Sequence, residues 1–379
     1  MANMNIRTPR FYTDYISYLL SRGVTQDGNF DIKSTNSSNN TLGTFTTGSE
    51  AELFDLNPLN LNTIDTSSTS AVRDDHVLIN IDKQDTTQKI SYIAILNHNL
   101  VASHGKIRIF AGNESTDVGA VDGTLADTSD IDWSGVTVTD VINADNRNVT
   151  ATGSSTYDDK SVVVRPIANG STIITFPETT LRYWGIQFEG SGGTDSNGNL
   201  LSGAETSING DWSSSTNFSV GCIMIGEFFD MPQSPELAVK RSIQFDNVTT
   251  QQSIGGQRFS NMTNIGKLAS STSKSPFVGS SFSQNIYGGR IAYDMNFNYL
   301  SSDKIMPTRS NAVQPADDVV IEDVWNKVNG NHLPFIFSID KDNGEESEHM
   351  FARFAQNSLD MTQVAPDVFN ISMRIEEEF

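Results

Sequence analysis

The sequence predicts an all-β fold: a jelly-roll β-sandwich followed by a second small β-rich domain with one helix. Three observations predict it. Hydrophobic residues make up only 37% of the 379 residues, while Ser, Thr, Asn, Asp and Gly abound, which favours short strands joined by many turns. The apolar runs are short, several alternate with period two, and turn residues bound them. Finally, 21 Phe, 9 Tyr and 4 Trp are spread along the whole length and supply more apolar surface than a disordered chain carries. A chain of 379 residues also exceeds what one sandwich normally uses, so one internal boundary is expected.

Taken in order, 11–22 (FYTDYISYLLSR) places Phe11, Tyr15, Tyr18 and Leu19 at near-helical spacing with Gly23 as a stop, which predicts a short amphipathic helix. Residues 24–50 are polar and rich in Gly, Ser and Asn, and read as an arm; 1–50 is therefore set apart as helix and arm. Strands are predicted at 76–82, 89–100, 106–113, 134–142, 161–167, 171–177, 182–190 and 218–230, enough for a jelly roll spanning 51–232. A long polar glycine-rich loop, 191–217, interrupts the last two. Two prolines in 231–241 mark the linker, and 233–379 forms the second domain. There, 242–247 and 288–301 read as strands, the latter with Ile291, Tyr293, Met295, Phe297 and Tyr299 at period two. Asp317 and Asp318, then Val319, Val320, Val324 and Val328, then Gly330, predict one helix over 316–330. Strands at 333–340, 348–356 and 367–379 complete it.

The net charge is −21, and the scattered Lys and Arg offer no basic surface of the kind counterion release requires, so nucleic acid is not expected as a partner. No run approaches the length of a membrane span, and the first residues are too polar for a signal peptide core, so no membrane insertion and assembly in a cytoplasm are expected. Cys222, the single cysteine, lies in an apolar run and reads as a buried small hydrophobe. His76, His98, His104, His332 and His349 show no zinc-like spacing. No nucleophile elbow or phosphate-binding loop occurs, so no catalytic residue, metal or cofactor is assigned. The loops 195–199 and 340–344 alternate oxygen donors in a way that suits calcium, but neither completes a twelve-residue loop, and ordinary hairpin turns are the commoner fate of such sequences. Trp133, Tyr157 and Trp212 in loops are the candidates for stacking on a glycan or partner, with core packing the commoner outcome for such rings.

ISYIAILNHNLVASHGKIRIFAG (90–112), LRYWGIQFEG (181–190), VGCIMIGEFFDMP (220–232) and the stretch LPFIFSIDKD (333–342) to MFARFAQNSLDMTQVAPDVFNISMRIEEEF (350–379) together resemble tailed-phage tail and baseplate structural proteins. The first three resemble a galactose-binding-like jelly roll, and the last a distal-tail-like β-domain that builds or extends a tail tube. The resemblance implies a non-enzymatic virion protein in a ring around the tail axis, whose partners are other copies of itself and neighbouring tail proteins. Phe11, Tyr15, Tyr18 and Leu19 are then the expected inter-subunit contacts. The insertion 191–217 departs from the short turn usual at that place, so sugar binding does not carry over with the fold. Two alternatives share the profile: a host-receptor or glycan-binding module using Trp212, and a capsid decoration or neck protein.

Overall fold

The computed structural model describes residues 7–25, 31–35, 45–66, 76–114, 138–143, 150–151, 162–190, 212–213, 215–244, 248–262, 290–307, 319–342, 344 and 348–378. In chain order its strands begin with β1 (Arg10–Asp14), β2 (Asp31–Thr35), β3 (Phe45–Thr47), β4 (Asn62–Ile64), β5 (His76–Asp82), β6 (Ile90–His98), β7 (Gly105–Gly112) and β8 (Asp140–Ile142). Next come β9 (Thr150–Ala151), β10 (Val162–Val164), β11 (Gly170–Thr179), β12 (Tyr183–Gly190), β13 (Phe218–Val220), β14 (Cys222–Asp230) and β15 (Lys240–Gln244). The last are β16 (Val248–Gln252), β17 (Arg258–Met262), β18 (Arg290–Ser301), β19 (Phe335–Ser338), β20 (His349–Phe354), β21 (Met361–Ala365) and β22 (Val368–Glu377). The fold is all-β and every strand pairing is antiparallel, as a chain of short alternating runs requires.

A six-stranded sheet, β2-β5-β12-β7-β10-β9, packs face to face with the β14-β6-β11 part of a larger sheet. Period-two alternation builds the sandwich core. Ile93, Ile95, Ile174, Ile223 and Ile225 point in from one side, and Ile79, Ile107, Ile109, Trp184, Ile186 and Phe188 from the other.

The larger sheet has eleven strands and does not stop at the sandwich. Its order is β15-β18-β22-β20-β19-β1-β14-β6-β11-β8, with β21 added on β22. The expected arm 1–50 therefore supplies a central strand: β1 pairs with β14 on one side and β19 on the other. The expectation of a helix from residue 11 is corrected accordingly. Residues 11–14 are strand, because all four pair with β14 and the first two also with β19: Phe11 against Phe229 and Phe337, Tyr12 against Phe228 and Ile336. Helix α1 (Tyr15–Ser21) starts only where Asp14 caps it, accepting the Ser17 N–H at 2.7 Å. The second Asp14 oxygen accepts the Ile225 N–H at 3.0 Å, tying the helix start to β14. Next to it, Gly226 leaves room for β1: a methyl group there would lie 2.0 Å from the Thr13 carbonyl oxygen.

The C-terminal half has its own core on the same face of that sheet, where Phe335, Phe337, Met350, Phe354, Ile371, Met373 and Ile375 meet Phe11 and Phe229. It is roofed by the helix expected at 316–330, whose described part is a wide π-helical turn, Ile321–Asn326, with Val320, Val324 and Val328 buried. Gly330, at φ +69°, ends it by donating to the Trp325 carbonyl. The opposite face of the sheet is also buried. Tyr12, Tyr92, Ala94, Leu96, Ile173, Cys222, Met224, Ile336 and Phe351 form a third cluster running from sandwich to C-terminal half. A methyl group on Gly344, after β19, would come within 3.9 Å of the Ile142 side chain on β8, so the sheet curls and encloses this cluster. Cys222 is buried there, in keeping with its reading as a small hydrophobe.

Candidate functional site

The Asn-His-Asn-Leu segment that carries much of the phage resemblance forms a polar clasp at the end of β6. Asn97, the last residue but one of the strand, takes a positive φ of 54° beside a register shift, and its amide donates to the Pro58 carbonyl at 2.8 Å. His98 is buried, donating from Nε2 to Thr172 Oγ1 at 2.8 Å while Nδ1 accepts the Leu100 N–H at 3.3 Å. Asn99 accepts the Ser219 N–H and donates to the Asn217 carbonyl, both at 2.8 Å. Three neighbouring residues thus join the segments at 58, 172, 217 and 219, an arrangement that fixes loops.

Burial pushes the His98 imidazole down to about 3, so the folded chain holds it neutral. The unfolded chain takes up a proton below about 6.5, so this group costs stability progressively as pH falls from there toward 3. Asp14 works in the opposite sense. Its burial, against the hydrogen bonds from Ser17 and Ile225, raises it from 3.8 to about 6, and it adds stability as pH falls from 6 toward 3.8. His98→Gln, which cannot titrate, is expected to be less stable than the parent at pH 7.5, with a deficit that shrinks by about 2–3 kcal/mol at pH 4.5. Urea titrations at the two pH values check this; a deficit that stays constant refutes the neutral buried imidazole.

On the outer face of the six-stranded sheet, Lys106, Arg108, Gln187 and Glu189 alternate with the core residues of β7 and β12, and all four are buried. Arg108 donates from Nε and Nη2 to Glu189 Oε1 at 3.0 and 2.8 Å, and Lys106 Nζ lies 3.3 Å from the same oxygen. Gln187 donates to the other carboxylate oxygen at 2.8 Å. Burial alone would raise the Glu189 carboxyl, but the two cations outweigh it and hold the group below its ordinary range. In the sequence, Lys106 and Arg108 alternate with Ile107 and Ile109, a pattern that by itself does not tell a buried polar face from an open one. The signal that distinguishes them is Glu189, placed directly across from Lys106 on the adjacent strand.

The predicted contact residues are not brought together. Trp212 is 5% exposed; its ring lies 5.6 Å from Phe218 and against Gly105, inside the sandwich core. It therefore offers no face to a sugar, which corrects its reading as a stacking ring. Trp133 and Tyr157 lie outside the described residues. Of the expected inter-subunit set, Phe11 is 0% exposed and Tyr15 is buried in the sandwich core, so the chain itself takes up their apolar surface. Tyr18 and Leu19 are half-buried on α1, and only Leu20 beside them is exposed. At the calcium candidate 340–344, Asp340 accepts the Asp342 N–H in a local turn, while 195–199 lies outside the described residues. Among the described residues no group of three or more His, Cys, Asp or Glu is placed to hold a metal, and no helix is long and apolar enough to cross a membrane.

What the fold leaves open is one-sided. Of the large apolar side chains exposed among the described residues, Leu237, Ile243, Val248, Ile254, Phe259, Tyr299, Met306 and Val364 lie after residue 232, against Leu20, Val101 and Ile167 before it. Among the described residues, the C-terminal half leaves more of its apolar surface open than the sandwich does.

No protein-family description matches this chain, and no curated protein does. Among solved structures, a DUF4466 family protein from Parabacteroides merdae aligns over 92% of this chain and 99% of its own at 7% identity, with a TM-score of 0.12.

Proposed function

We propose that this chain is a non-enzymatic structural component of a tailed-phage tail or baseplate, assembling with copies of itself as a ring around the tail axis and contacting neighbouring tail proteins. The observation that carries the assembly part is the concentration of exposed apolar side chains on the C-terminal half, the half whose sequence resembles a tube-building domain. Scattered exposed hydrophobes are ordinary, but among the described residues eight lie on one half and three on the other, which calls for something to cover the eight. The virion setting rests on the resemblance of 90–112, 181–190, 220–232 and 333–379. Glycan recognition through Trp212 loses its support, because that ring is enclosed.

Electron cryo-microscopy of the particle containing this chain tests the reading. A closed ring of copies around the tail axis, joined through residues after 232, is the expected result. Density on the capsid shell or at the neck gives the case to a decoration or neck protein, and isolated copies at outward tips give it to a receptor-binding module.

A further inference from the structure

Strands β16 and β17 form a two-stranded ribbon that pairs with no other strand among the described residues. All five residues of β16 are exposed, and so are Arg258 to Asn261 of β17. Its turn is well made: Ser253 exchanges backbone hydrogen bonds with Gly256 and Gln257, and Gly256 takes the positive φ of +86° that a bulged hairpin turn requires. An isolated ribbon of this size is marginal in water, and this one also exposes Val248, Ile254 at its tip and Phe259.

Open strand edges invite pairing with another chain, and proteins usually guard them with charge or proline. The large sheet does so at its ends: β15 carries Lys240 and Arg241, and β8 carries Asp140. In the six-stranded sheet the edge strand β2 has Asp31 and Lys33 in its sequence, and the other edge strand, β9, is only two residues long. Of the described edge strands five residues or longer, two places lack the guard. From 248 to 262 the ribbon contains no Asp, Glu, Lys or Pro and a single Arg, and β21, Met-Thr-Gln-Val-Ala, contains no charge at all. β21 pairs only with β22 among the described strands, and Thr362 to Ala365 are exposed. In a chain of net charge −21, two copies repel over most of their surface, and these are the segments that can approach without that cost.

We infer that the β16–β17 ribbon docks on a second copy of this chain by strand addition to the open edge of β21. The inference rests on the assembly reading above and gives it a mechanism. Because ribbon and acceptor are different surfaces, the contact is head-to-tail and repeats from copy to copy, closing a ring when the rotation closes. Val364 and the neighbouring exposed apolar groups then meet Phe259 and Ile254 in the interface.

The test is sedimentation of the full chain across a concentration series, beside the donor variant Ile254→Asp/Phe259→Asp and the acceptor variant Val364→Asp. The parent is expected to self-associate, and each variant to do so at least about tenfold more weakly. The melting temperature of the donor variant should stay within about 2 °C of the parent, since the ribbon packs on nothing else described. Mixing the two variants is the sharper arm: each keeps one intact surface, so the mixture should form a dimer that does not grow, an outcome no general loss of folding produces. Arg258→Glu should weaken association at low salt and recover at high salt through screening. A parent that associates while the donor variant associates equally overturns the ribbon contact and leaves the ring reading standing. A parent that stays monomeric at every concentration overturns the ribbon contact, and the copy number in the particle then judges the ring separately.

Discussion

Phe11→Ala is expected to lower stability by about 3–5 kcal/mol, the largest effect of any single apolar truncation in the N-terminal segment. Phe11 is 0% exposed, and its ring lies 5.5 Å from Phe335, 5.2 Å from Phe337 and 6.0 Å from Phe354, so truncation leaves a cavity in the C-terminal core. The loss compares with a whole-domain stability of about 5–15 kcal/mol. It also reaches further than its own core, because β1 is the strand that joins β14 to β19. Urea unfolding followed by tryptophan fluorescence reports both sides, with Trp184 in the sandwich and Trp325 packed near Phe354 in the C-terminal half. The expected result is a lowered midpoint at which both halves unfold together. A loss under about 1 kcal/mol, typical of an exposed position, would mean that β1 is not held between the two strands. Gly226→Ala approaches the same weakness from the other side, since its methyl group must displace the Thr13 carbonyl of β1.

Glu189→Gln is expected to cost about 3–5 kcal/mol, because it takes from the buried Arg108 and Lys106 a carboxylate that both of them contact. The substitution keeps size and shape, so lost packing does not account for the effect. Its sign with pH follows from the lowered Glu189 carboxyl: the pair contributes fully above the ordinary glutamate range, near 4.5, and its contribution fades as pH falls below it. The parent and Glu189→Gln should therefore converge in acid, and thermal melts between pH 7 and pH 3.5 measure the convergence. A difference that is small at neutral pH, or that does not depend on pH, would sink the account of Glu189 as a buried anion held by Arg108 and Lys106.

Much of the fold is legible in the sequence where one local rule acts alone. Strands β5, β6, β7, β12 and β18 show in the runs 76–82, 89–100, 106–113, 182–190 and 288–301: β7 and β18 alternate with the period of two that a strand imposes, while β6 is a near-continuous apolar run because both of its faces are buried. The roofing helical turn shows in Val320, Val324 and Val328 followed by Gly330. Residues 11–14 mislead for a physical reason: their aromatic spacing fits a helix, but the competing choice, two neighbouring strands hundreds of residues away, is invisible locally. Trp212 misleads likewise, since a ring in a polar segment is read as exposed until Gly105 and Phe218 are seen to enclose it. The candidate interaction surface is half legible: the segment 248–262, with a single Arg and no other charge, can be seen in the sequence, but not that it pairs with no other strand among the described residues.

By itself, then, the sequence determined the β class, the positions of most strands and the excess of negative charge, all properties of neighbouring residues or of totals. Only the tertiary structure decided that β1 welds the two halves into one eleven-stranded sheet, that Arg108 and Glu189 are buried, and that the ribbon and β21 are left unguarded. The reason is that strand pairing and burial depend on partners distant in the chain, and a period of two tells a strand that it has a buried face without telling it which strand lies beside it.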